Sequence, residues 1–353
     1  MKSAGLLTVL LLILGSLSLS AQDLHFTLYD YAPLSVNPAN AGNYEGSYRI
    51  GGIYRDQWSA VSSGSNAFRT PMVYIDAPLL AIGKNGWLGA GLNVQLDEAG
   101  SLNQKTNTFG LAAAYHHVVN RRSNTVLSVG VQGYSRTRSI DNTGFMPGDA
   151  LTNGVGAMET EDAFLQEIFG NTSDNPMSSQ IIINGGIGLK TKMNKKTAFH
   201  AGLSASNINS PNQALYNQDE NNKDNAFELP IRFNFHTGVS AQLNKKWTLN
   251  PTLLVSTIRN QSEIDLQIWT DYRLNDEKEI DLRFGLGHRL GRDLQPLVGV
   301  DYGALRAAVG YDIRLGGLGD ALNQRGGVEI AVMYTGLIFK KPDVPPVIFC
   351  PQL

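Results

Sequence analysis

The sequence predicts an all-β protein: a closed antiparallel transmembrane β-barrel of about 14 strands, preceded by a signal peptide and an ordered N-terminal segment. Three observations carry this. The chain opens with an export signal, it combines few charges with much glycine, and it is filled with long runs in which apolar and small or polar residues alternate.

Residues 1–21 read MKSAGLLTVLLLILGSLSLSA. Lys2 supplies the positive start, Leu6 to Leu14 the apolar centre, and small residues lead to Ala21, the expected cleavage point of a secretory signal peptide. The apolar centre is short for a membrane-spanning helix of about 20 residues. Cys350 is the only cysteine, so no internal disulfide is available to stabilise the exported chain.

Among 353 residues there are 37 glycines, and charged residues make up 17%, below the roughly 25% of soluble domains. A formal net charge of -2 excludes a basic nucleic-acid-binding surface. The composition leaves an outer-membrane barrel or a secreted sandwich or propeller.

Residues 22–45 form the expected N-terminal segment. It carries turn formers, APLSVNPANAG, with little charge. Pro33 and Pro38 hold φ and bias the residues before them away from helix. Asn37 and Asn40 can bond back to nearby backbone, and Gly42 tolerates a left-handed bend. With His25, Phe26 and Tyr29, these residues are expected to form a periplasmic plug or a docking face for a partner.

The barrel is expected over 46–340. Its segments fall at 46–57, 67–78, 85–97, 104–119, 122–137, 178–192, 196–208, 227–243, 246–260, 261–273, 279–290, 293–303, 304–316 and 325–339. In LRAAVGYDIRL, Leu305, Ala307, Val309, Tyr311 and Ile313 share one face. In GGVEIAVMYTGLIF, Val328, Ile330, Val332 and Tyr334 oppose Glu329, Ala331, Met333 and Thr335. Such a period of two puts alternate residues toward lipid and toward the lumen. A wet lumen would tolerate Ala308→Arg far better than lipid would tolerate Val309→Arg. Many segments exceed the length of typical soluble strands. In hydrocarbon only a closed ring pairs every backbone group, and the lumen then needs no large apolar core.

The joints NKK at 194–196, NKK at 244–246 and GRD at 291–293 read as tight turns, whereas 138–177 and 209–226 are long and polar. Short turns are expected in the periplasm and long loops outside the cell. Within the first insertion, TEDAFLQEIFG has the pattern of one short amphipathic helix, Thr160 as cap and Gly170 as stop. Trp58, Trp87, Trp247 and Trp269 lie near predicted strand ends, as interfacial-belt residues or as ordinary core. Residues 341–353 form a tail.

Chemistry is sparse. His25, His116, His117, His200, His236 and His288 form no metal-ligand spacing, and the adjacent pair would point to opposite faces of a strand. No nucleophile elbow or phosphate loop occurs. Glu161 with Asp162 and Glu277 with Glu279 read as solvated loops or turns. No catalytic, cofactor or metal residues are expected, and the chain reads as a non-enzyme.

One resemblance adds to this. HFTLYDYAPLSVNPANAG, then YRIGGIYRDQW, then RTPMVYIDAPL resemble the start of the PorP/SprF family of the Bacteroidota. The matching positions are His25, Phe26, Tyr29, Pro33, Asn37, Pro38, Ala39 and Gly42, followed by Arg55, Gln57 and Trp58. The resemblance implies an outer-membrane barrel beside the type IX secretion or gliding machinery, assisting export or surface attachment of a large cargo protein or adhesin. Its partners would be outer-membrane lipid, machinery proteins and that cargo. KKPDVPPVIFCPQL departs from the terminal Phe common in such barrels. A channel for small or hydrophobic solutes is the alternative, to be told apart by whether the lumen is open or packed.

Overall fold

Period-two alternation commits a segment to strand, and among the described residues no helix stands between the strands. In the computed structural model, the described residues are 26–57, 68–99, 104–120, 122, 124–140, 177–212, 228–316 and 324–338. The expected signal peptide, His25, Trp58, the helical pattern at 160–170, and the expected tail with Cys350 lie outside them.

Fourteen strands form: β1 Tyr48–Gln57, β2 Phe68–Ile82, β3 Gly86–Ala99, β4 Gln104–Asn120, β5 Thr125–Ser139, β6 Met177–Asn194, β7 Thr197–Ser206, β8 Arg232–Gln242, β9 Trp247–Ile258, β10 Gln261–Asn275, β11 Ile280–Arg289, β12 Asp293–Tyr302, β13 Leu305–Arg314 and β14 Arg325–Gly336. Each pairs antiparallel with its sequence neighbours. The ring closes between β1 and β14, with Tyr48 opposite Gly336 and Gln57 opposite Gly327. Closure satisfies the backbone of both terminal strands and leaves no edge.

The faces alternate as the sequence predicts. On β5, Leu127, Val129 and Val131 are exposed, while Val126, Ser128 and Gln132 are buried. On β13, Val309 points outward at 43% exposure and Ala308 inward at 3%. Apolar residues therefore cover the outside and many polar ones are buried inside, the reverse of a soluble sandwich. Val309→Arg is expected to lower barrel stability by about 2–4 kcal/mol, the usual cost of Arg at the bilayer midplane. Urea titration in lipid vesicles measures it, and an unchanged midpoint would contradict the face assignment.

The wet-lumen expectation for Ala308→Arg is corrected. Ala308 belongs to a packed cluster with Leu28, Trp269, Leu297 and Ala331. An Arg there has no water to enter and no room to fit.

Each strand reverses direction, so joints alternate between two ends. The turns at 195–196 and 243–246 lie at the end where β1 begins and β14 stops, with Glu277 and Glu279 exposed in another turn of that end. The joints spanning 140–176 and 207–231 lie at the opposite end. The GRD turn also falls at this opposite end, because β11 runs toward it. Tightness alone does not sort turns to one side; parity does.

The tryptophans divide as well. Trp247 is exposed at the tight-turn end, against Tyr272 at 4.7 Å. Trp269 is 1% exposed inside the lumen, under the Arg283 guanidinium at 4.6 Å, and so is not a belt residue. Trp87 also turns inward, stacked on His116 at 4.7 Å.

Candidate functional site: the lumenal plug

A ring of eight strands fills itself with side chains, whereas one of 16 to 18 leaves an aqueous channel. Fourteen strands leave space that something must occupy. Here it is the chain's own N-terminal segment. Tyr29–Tyr31 and Pro38–Asn40 form 3₁₀ turns, and Pro33–Val36 forms one α-helical turn. Each proline begins its turn, where a missing N–H costs nothing. Asn37, extended at φ -157°, accepts from the Ala39 N–H at 2.9 Å and so caps the second 3₁₀ turn. The Asn40 amide donates to the Pro33 carbonyl at 3.1 Å. Gly42 takes φ +70°, the left-handed bend its sequence position suggests.

Side chains hold the plug to the wall on several sides. The Asn37 amide nitrogen lies 2.9 Å from the Ile187 carbonyl, 3.2 Å from the Leu203 carbonyl and 3.1 Å from His236 Nε2. His116 Nε2 lies 2.8 Å from the Ala41 carbonyl; a carbonyl only accepts, so this nitrogen carries the proton. Its Nδ1 meets Ser128 Oγ at 2.7 Å. Trp87 Nε1 donates to the Gly42 carbonyl at 2.9 Å. The Tyr29 hydroxyl meets Thr252 Oγ1 at 2.6 Å. Burial pushes the Tyr31 phenol up to about 12, so it stays neutral and accepts from Arg283 Nη1 at 2.9 Å.

Two wall glycines make the close approach possible. A Cβ on Gly130 would stand 2.5 Å from the Ala39 nitrogen, and one on Gly89 would collide with the Ala41 carbonyl. The obstruction is backbone in both places, so it cannot swing aside.

A charged network closes around the first described turn. Thr27 and Leu28 N–H groups each donate to one oxygen of Glu329 at 2.8 Å, and Thr27 Oγ1 donates to Asp312 at 2.6 Å. Arg55 reaches Glu329 at 2.7 Å and Asp312 at 3.1 Å. Arg289 meets Asp293 at 2.8 Å and Asp265 at 3.4 Å, and Arg314 Nε lies 3.0 Å from Asp293. At the other end of the plug, Arg49 holds Asp76 through two nitrogens, and Asp76 accepts from the Gly42 N–H at 2.8 Å. Such charges are tolerated away from water because each is paired and most are also hydrogen-bonded; Arg314 Nε is held by the ion pair alone.

Of the residues singled out from sequence, Phe26, Tyr29, Pro33, Asn37, Pro38 and Gly42 are buried inside the barrel and Asn40 is half-buried. The aromatic side chains of the segment face the wall; Phe26, Tyr29 and Tyr31 are at most 5% exposed. An apolar lumenal core, which barrel closure alone did not call for, joins Leu28, Leu34, Met72, Tyr74 and Trp269. Sequence reasoning missed the ionic partners. The only signal was that Arg55, Asp312 and Glu329 stand on the non-lipid faces of their strands. Among the described residues no cluster of His, Cys, Asp or Glu has the makings of a metal site.

A closed, even-numbered antiparallel ring, apolar outside and polar within, defines an outer-membrane β-barrel crossed by strands, here filled by its own N-terminal segment. The model of the type IX secretion system membrane protein PorP/SprF matches residues 18–334, and the chain belongs to that family. No curated protein matches the sequence. Among solved structures, the toluene transporter TbuX of Ralstonia pickettii is similar at a TM-score of 0.51 and 11% identity, over 88% of this chain and 94% of that one. The deltaS2 mutant of the monoaromatic hydrocarbon channel TodX gives 0.50 and 13%, over 88% and 94%. At such identities the likeness is one of fold.

Proposed function

We propose that this barrel is a non-enzymatic outer-membrane component that works with the type IX secretion or gliding machinery and assists export or surface attachment of one large cargo protein. Family membership supports the setting. The observation that carries the mode of action is the plug: a lumen occupied by hydrogen-bonded chain suits a fixed attachment point better than a conduit. A channel for small or hydrophobic solutes is the second reading. The hydrocarbon-channel likeness favours it in fold only, and it requires the plug to leave.

In this reading the tight-turn end faces the periplasm. Cysteine placed at Arg259, in a Cys350→Ser chain, is expected to react with an impermeant label on intact cells. Cysteine at Lys245 is expected to react only once the outer membrane is opened. The opposite pattern would reverse the orientation.

The docking edge is the exposed continuation of the plug, not its buried aromatics. Asn43 and Tyr44 are half-buried and Glu45 is exposed, with Glu45 3.1 Å from Lys192 at the tight-turn end. Asn43→Ala with Glu45→Lys is expected to leave barrel abundance normal and cut recovery of machinery proteins and surface display of cargo at least about fivefold, the scale of a lost surface contact. Full recovery of both would sink the docking edge. Asn37→Ala, by contrast, is expected to loosen the plug and expose residues 26–43 to protease, since it strips buried hydrogen bonds.

A further inference from the structure

Five lumenal arginines share one arrangement. Arg49, Arg55, Arg283, Arg289 and Arg314 each lie 2.7–3.0 Å from a carboxylate. Arg136 departs from it. Among the described residues it has no ion pair, and its Nε is buried without a hydrogen-bond partner. Arg138, two residues on and therefore on the same face of β5, bonds among the described residues only the neutral Gln104 side chain, at 2.8 Å, and its Nε is also without a partner there. The cross-strand neighbour of Arg136 on β4 is Thr108, whose buried hydroxyl is likewise unpartnered. Asp97, the inward acid at the end of β3, accepts from Thr70 at 2.7 Å instead.

The place of this group matters. On β5 the plug touches Ser128 and Gly130. Arg136 stands six residues farther toward the long-loop end, about 20 Å along the strand. A buried layer of Asn93, Gln132 and Tyr134 lies between, joined by bonds of 3.2 and 3.4 Å. Two like charges on one face, with donors left over and, among the described residues, only Asp97 near Arg136, unbonded to it and already accepting from Thr70, form an arrangement that an incoming anion completes.

We propose that Arg136 and Arg138, with Thr108, form a carboxylate-binding shelf in the loop-side half of the lumen. A planar carboxylate takes parallel N–H bonds from a guanidinium fork, which a lysine pair would not offer. The carboxylate comes either from an acidic peptide segment or from a small free acid. The shelf stands on its own geometry and does not depend on the role proposed above.

The test uses the purified full-length barrel in detergent at low salt, with fluorescent tetraglutamate as probe and glutarate as competitor. Binding is expected, with at least a tenfold loss in the Arg136→Gln, Arg138→Gln double variant. Arg122→Gln, at the exposed tight-turn end, should leave it unchanged. Displacement by glutarate at comparable concentration supports a free acid as ligand, and its failure to displace supports an acidic peptide. Heat-modifiable gel mobility reports folding, and Arg136→Gln alone stands in if the double variant does not fold. Absence of binding by the parent chain, or equal binding by the folded variant, overturns the proposal. Tenfold tighter binding when Glu159, Glu161 and Asp162 are neutralised overturns it too, because the shelf would then serve the chain's own acidic stretch.

Discussion

Arg289→Gln is expected to destabilise the barrel by about 3–5 kcal/mol, the cost of breaking a buried ion pair from one side. Arg289 is 1% exposed, and its guanidinium is shared among Asp293, Asp265, Glu263 and Asp312 at 2.8 to 3.8 Å. Gln supplies one amide NH2 with two donors and no charge, so the buried carboxylates lose their main counter-charge. Arg55 and Arg314 are already committed to Glu329, Asp312 and Asp293 and cannot compensate. Lys in the same place keeps the charge without the fork, and an intermediate loss is expected. Removing one acid together with the arginine should recover part of it, so Arg289→Gln with Asp312→Asn is expected to be the more stable of the two variants. Urea midpoints of all three in lipid vesicles decide the matter. A loss below about 1 kcal/mol would mean that water reaches this network, since only screened pairs are worth so little.

Gly89→Val with Gly130→Val is expected to leave the barrel assembled and drive the plug out. Valine suits a strand, and both side chains would point into the lumen, so the wall itself is not disturbed. The new methyl groups would occupy the space of the Ala39 and Ala41 backbone, which has no rotamer to change. Displacing that turn also breaks the His116 and Trp87 bonds to the segment. The expected readouts are protease cleavage within residues 26–43 and steady ion conductance in planar bilayers, against a parent chain that is protected and closed. A double variant as closed and as resistant as the parent would show that the plug is not held by close backbone approach. Open conductance in the parent would instead favour the solute-channel reading.

Strand, face and turn were legible in the sequence because each is local. Alternation within ten residues placed Val309 outward and Ala308 inward without knowledge of any neighbour. The turn chemistry of the N-terminal segment was equally local: Asn37 bonds a nitrogen two residues away, and Gly42 bends at its own φ. The family resemblance rested on this segment and on the strands that carry YRIGGIYRDQW and RTPMVYIDAPL; the described part of the segment fills the lumen, and Arg55 reaches into it from the wall.

What the segment touches was not legible. Arg55 meets Glu329 across 274 residues, and Tyr31 meets Arg283 across 252. On their own strands these are merely polar residues on a lumenal face. The same holds for Trp269, which sequence position left between belt and core. Whether the lumen is wet or packed, and which charges find partners there, depends on residues brought together only when β1 closes on β14. Backbone pairing and side-chain alternation act over a few residues and are written in order along the chain. Desolvation and ion pairing act through space, and the ring alone decided them.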